Sequence, residues 1–130
     1  MKTLLTAISF FVISTLATFA SLDIFDEIGN SIRTGDATSI SNYFGNTVDL
    51  TIGNQEEVYS KVQAEQILKD FFSKNSPKSF SIIHKGESKE GARYAIGTLT
   101  TVQGITFRAY FYVKQQGSSS IIQELRFMKE

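Results

Sequence analysis

ARYAIGTLTTVQGITFRAYFYVKQ, residues 92–115, is the stretch from which the fold follows. It reads as two strands joined at Gln103-Gly104, taken as a two-residue hairpin turn. That register sets Val102 against Ile105, Thr100 against Phe107, Thr98 against Ala109, Ile96 against Phe111 and Tyr94 against Val113. Side chains alternate along a strand, so these pairs share one greasy face. The opposite face carries Thr106, Arg108, Tyr110 and Tyr112, facing Thr101, Leu99, Gly97 and Ala95. A layer with one apolar face needs a helical cover. The stretch holds no catalytic or ligand signature.

The upstream chain supplies the cover. Residues 22–34 read as a helix, with Phe25, Ile28 and Ile32 at helical spacing, Asp23, Asp26 and Glu27 near its positive end and Gly35 closing it. Asp36 caps a short second helix with Ile40, Tyr43 and Phe44 as its stripe, stopped by Gly45. Thr47–Ile52 alternates as a half-buried strand, Gly53-Asn54 is a turn, and Glu56–Tyr59 is a short strand. Ser60 and Gln63 have capping-box spacing, opening a helix with Ala64, Ile67, Leu68, Phe71 and Phe72 on one stripe. It ends before Asn75-Ser76-Pro77, at the chain's single proline.

Downstream, Ser79–Lys85 puts Phe80, Ile82 and His84 on one side of a strand, and a charged turn at 86–91 leads into the hairpin. After a polar loop at 115–120, Ile121–Lys129 forms the last strand. Ile121, Leu125 and Phe127 match the greasy face; Ile122, Glu124, Arg126 and Met128 match the mixed one. Helices followed by a run of antiparallel strands indicate an α+β fold. The sequence shows no repeat, linker or second-domain boundary, so residues 21–130 read as one domain.

Residues 1–20 stand apart. Met1-Lys2 is a short basic start, Leu4–Phe19 is an apolar run broken only by small hydroxyl residues, and Thr18-Phe19-Ala20 has small residues at its first and last positions. This is the layout of a secretory signal peptide, the alternative being a retained anchor. Cleavage after Ala20 removes only Lys2 from 13 basic and 13 acidic residues, leaving one net negative charge. No basic excess draws the chain to nucleic acid or an anionic membrane. With no cysteine, an exported chain relies on packing rather than disulfides, which suits a periplasm or cell envelope. Eleven phenylalanines and five tyrosines provide the apolar area.

The element order resembles the cystatin-like, nuclear transport factor 2-like cone. Locally, Val58-Tyr59-Ser60-Lys61 with residues 64–72 (AEQILKDFF), residues 78–86 (KSFSIIHKG) and residues 94–99 (YAIGTL) resemble a family of small exported bacterial proteins, domain of unknown function 4783. The resemblance spans residues 24–127 and implies fold and export. It carries over no catalytic residue. The wider fold includes isomerases and dehydratases as well as binding and dimerisation modules, so fold alone does not choose.

Candidate chemistry is sparse. His84, the single histidine, is a base by its near-neutral pKa or a half-exposed strand-end residue. With no cysteine it completes no metal site of His and Cys ligands, and the acids lack metal-loop spacing, so no metal or cofactor is expected. No Gly-x-Ser-x-Gly elbow and no phosphate-cradling loop is present. Tyr94, placed on the concave face near an open strand end, is a hydrogen-bond donor to a bound carbonyl or carboxylate, or else a core tyrosine. Tyr43 and Tyr59 invite the same two readings. The mixed face, with Arg108, Tyr110, Tyr112, Ile122, Glu124 and Arg126, has the composition of an interface core.

The sequence therefore points to a small exported α+β cone that binds rather than catalyses. Its expected contacts are a second copy or an envelope protein on the mixed face, or a small apolar ligand in a pocket near Tyr94, His84, Tyr43 and Tyr59. The alternative is an isomerase- or dehydratase-like enzyme using Tyr94 and His84 at the cone mouth. Phe71, Phe72, Phe107 and Phe111 are expected to fill the cone.

Overall fold

Each helix starts where a side chain satisfies a free N–H of its first turn. In the computed structural model, which describes residues 23–88 and 90–130, Asp23 accepts from Phe25 N–H and opens α1, Ile24–Thr34. The expected signal segment lies outside the described residues. Gly35 (φ 67°) ends α1 in the left-handed conformation, returning its N–H to Ile32 and that of Asp36 to Ser31. Asp36 then caps α2, Ala37–Ser41, by accepting from Ser39 N–H. This helix is shorter than its apolar spacing suggests: Phe44 already belongs to β1, Phe44–Ile52. After β2, Gln55–Ser60, the capping box forms as expected, Ser60 Oγ accepting from Gln63 N–H and Gln63 Oε1 accepting from Ser60 N–H. It opens α3, Lys61–Lys74. No described helix is long and apolar enough to cross a membrane.

The remaining strands are β3 (Pro77–Glu87), β4 (Arg93–Thr101), β5 (Thr106–Gln116) and β6 (Ser119–Lys129). They join β1 and β2 in one six-stranded sheet ordered β2-β1-β6-β5-β4-β3. All pairings are antiparallel except β1 with β6. The helices cover one face. α1 contributes Phe25, Ile28 and Ile32; α3 contributes Ala64, Leu68, Phe71 and Phe72, all buried. The Phe71 ring stacks on Phe127 at 4.9 Å and meets Phe107 edge-on at 5.1 Å, while Phe25 meets Phe111 at 5.5 Å. Phenylalanines thus fill the space inside the cone.

Three local registers differ from the sequence expectation. The hairpin loop has three residues, not two: Thr101 N–H donates to Ile105 O, Gly104 (φ 84°) takes the left-handed position, and Thr101 Oγ1 accepts from Ile105 N–H. Leu99 therefore pairs with Phe107, Gly97 with Ala109 and Ala95 with Phe111. The faces of β5 stand as expected, but every residue of β4 changes side. Ala95, Gly97, Leu99 and Thr101 turn inward, and Tyr94, Ile96 and Thr98 lie on the helix-free face.

On β6 the register skips between Ile122 and Glu124, so Ile122 is fully buried in the core instead of joining the mixed face. On β3 a second irregularity, between Ile82 and His84, leaves Phe80 and Ile82 inside and moves His84 to the opposite face.

Candidate functional site

The helix-free face gathers most of the residues with chemical potential. Across β3, β4, β5 and β6 runs a row of His84, Tyr94, Tyr110 and Arg126. His84 Nε2 lies 3.2 Å from the Tyr94 hydroxyl, Tyr94 and Tyr110 have ring centroids 6.0 Å apart, and the Arg126 guanidinium stands 5.7 Å from the Tyr110 ring centre. Ile96, Arg108, Tyr110, Glu124, Arg126 and Met128 enclose a shallow depression of about 250 Å³. Burial raises the Tyr110 pKa above its ordinary value, and the Glu124 carboxylate adds to this against the opposing charge of Arg126. Tyr112 faces Glu124 across the β5–β6 ladder.

At the end of this face toward β2, Asp49, Glu56 and Glu124 bring carboxylate oxygens within 4.8 Å of one another. Arg126 pairs with Glu124 and stands 3.9 Å from Glu56. In sequence, Glu56 beside Glu57 next to a turn reads as solvated charge, and Asp49 carries no site signal. The alternation of residues 47–52 places Asp49 outward, but its approach to Glu124 comes from the parallel β1–β6 pairing, which no local pattern announces.

The four residues expected to line one pocket fall in three places. His84 and Tyr94 meet, but outside the cone, so Tyr94 is not on the concave face. Tyr43 donates its hydroxyl to Glu27 Oε2 at 2.7 Å; burial and that carboxylate push its pKa up to about 12. Tyr59 lies beside Val62, Gln63, Gln66 and Ile67 at the start of α3, its pKa raised by desolvation and by Glu57. A groove of about 610 Å³ does run between α1 and the edge strand β3, floored by Phe25, Phe80 and Ile82 and rimmed by Asp26, Arg33, His84 and Lys85. Arg33 donates to the Phe80 carbonyl there at 3.2 Å.

Helices laid on one face of a curved six-stranded sheet define a nuclear transport factor 2-like fold. An NTF2-like protein of unknown function from Shewanella baltica OS155 superposes with TM-score 0.60 at 11% identity, covering 82% of this chain and 88% of its own. The sequence pattern described as Domain of unknown function (DUF4783) matches residues 25–128, and the chain belongs to that family. It is similar to a DUF4783 family protein of Bacteroides uniformis ATCC 8492 (26% identity, 83% of this chain and 98% of that one, TM-score 0.76). A DUF4783 family protein of Bacteroides fragilis YCH46 gives 27% identity, 85% and 100% coverage and TM-score 0.75. No curated protein matches the sequence.

Proposed function

We propose that this chain is an exported binding module that pairs with a second copy of itself through the helix-free face of its sheet. The observation that carries the reading is the contrast between the two faces. Inside, Phe71, Phe72, Phe107 and Phe111 occupy the volume that a substrate would need. Outside, half-buried Tyr94, Ile96, Tyr110 and Tyr112 lie beside Met128, Arg108 and Arg126, with no described element covering them. Tyrosine, methionine and arginine are the residues that enrich interface cores.

The face also bears both signs of charge, Arg108 on β5 and the acids of β1, β2 and β6, as a two-fold contact requires of a patch that complements itself. Export is supported by the basic start, apolar run and small-residue end of residues 1–20. Sedimentation equilibrium of the purified protein tests the pairing. A concentration-dependent dimer that Tyr112→Glu converts to a folded monomer is expected. A wild-type monomer at every concentration, or a dimer indifferent to Tyr112→Glu, overturns the reading.

A further inference from the structure

Among the described residues, the buried polar side-chain atoms without a hydrogen-bond partner lie in one corner of the sheet: Asp49 Oδ1, Thr51 Oγ1 and Arg126 Nε, together with Glu124 Oε1, which has only its ion pair with the Arg126 guanidinium. Buried polar groups are normally satisfied, so such a cluster calls for a physical cause. Thr51 is only 7% exposed. It stands directly opposite Glu56 on β2 and Arg126 on β6, and two residues along from Asp49, so its side chain rises from the acid-bearing face between them.

From this geometry we propose that Asp49, Glu56 and Glu124, over the Thr51 hydroxyl, form a binding site for a divalent cation of the calcium type. The donor set is all oxygen, which suits calcium, magnesium or manganese rather than zinc or copper. Calcium holds its ligands at about 2.3–2.6 Å, so oxygens on opposite sides of it stand about 5 Å apart. The 4.8 Å spread of the carboxylate oxygens fits inside that limit. Magnesium demands a tighter octahedron and gives up its water reluctantly. Side chains from three strands of a twisted sheet, open to a groove of about 260 Å³ beside Asp49, fit the larger and more tolerant ion.

Charge points the same way. Three carboxylates and the Arg126 guanidinium leave two negative charges, which a divalent cation neutralises. Arg126 holds the place of that cation. Its guanidinium pairs with Glu124 while its Nε finds no acceptor, and the face of Tyr110 is within reach. On calcium entry the guanidinium gives up its contact with the acids and keeps its place over that ring, 5.7 Å from the ring centre.

Calcium titration of the purified, chelator-treated protein by calorimetry, alongside terbium luminescence excited through the tyrosines, tests the assignment. A saturable single site is expected, with Kd on the order of 10⁻⁴–10⁻³ M, as in extracellular calcium modules. Asp49→Asn and Glu124→Gln each weaken it by roughly tenfold or more, while Asp70→Asn, on α3, leaves it unchanged. Arg126→Gln binds calcium more tightly than wild type. Absence of saturable calcium binding, or binding that survives both carboxylate substitutions, overturns the site; an Arg126→Gln protein that binds no more tightly overturns the place-holding role. If Asp49→Asn fails to fold by circular dichroism, Glu56→Gln at the exposed rim makes the same measurement.

Discussion

The ring of Phe80 lies across the backbone of Gly97 on the neighbouring strand, so close that a methyl group built on Gly97 would press into the ring and stand 2.9 Å from the carbonyl oxygen of Ser81. Phe80 is buried and the carbonyl belongs to the ladder, so neither can yield cheaply. Gly97→Ala is therefore expected to lower stability by about 1–3 kcal/mol, the usual cost of overpacking, measured by urea denaturation.

Gly86→Ala provides the contrast. The atoms nearest its methyl all belong to the far end of the Tyr94 ring, on the helix-free face where that ring can swing outward. The expected stability change is within about 0.5 kcal/mol. The His84–Tyr94 contact, however, should be lost, and a shift of the His84 imidazole proton resonances would report it.

Asp23 links the start of α1 to the sheet, with Arg93 at 3.2 Å and Lys85 at 3.4 Å. Burial alone would raise its pKa. The hydrogen bonds from Arg93 and the Phe25 N–H, with the charges of Arg93 and Lys85, outweigh that and hold it below its ordinary value. A carboxyl lowered in the folded state stabilises above its unfolded pKa, and the contribution disappears as pH falls through the folded one. Asp23→Asn keeps a good cap, so its Tm deficit should be present at neutral pH and vanish in acid. A deficit that persists in acid would contradict the ion-pair account.

The capping box should be separable from the packing of α3. Ser60→Ala removes the acceptor for Gln63 N–H at an exposed position, with an expected cost of about 1 kcal/mol in denaturant. Phe71→Ala, which empties the contacts with Phe107 and Phe127, should cost about 3–5 kcal/mol.

What was legible from the sequence divides by range. The helix starts at Asp36 and Ser60, and the stop at Gly35, depend on residues within a few positions of one another and are readable; Asp23 reads only as an acid near the positive end of a helix begun at residue 22, whereas it is the cap. The faces of β5 were readable from alternation. The faces of β4 were not, because one extra loop residue at Val102-Gln103-Gly104 inverts the whole strand. Ile122 escaped for the same reason, through the skipped position at Gln123. Alternation puts His84 and Tyr94 on the side that the helices cover, and both lie on the other. Because the β3 irregularity and the hairpin slip each turned one of them over, they remain neighbours. The acid corner depends on pairing Asp49 with Glu124, remote in sequence and set by a parallel contact that alternation cannot announce.

The place of β6 has a consequence for how the chain matures. It joins β1–β2 to β5–β4–β3, so residues 119–129 stitch together two halves that precede them in the chain. Until Ser119–Lys129 has been synthesised, β1 and β5 both present unpaired backbone to the surroundings. Truncation of that one strand would leave two separate ribbons in place of a shortened sheet, each prone to self-association.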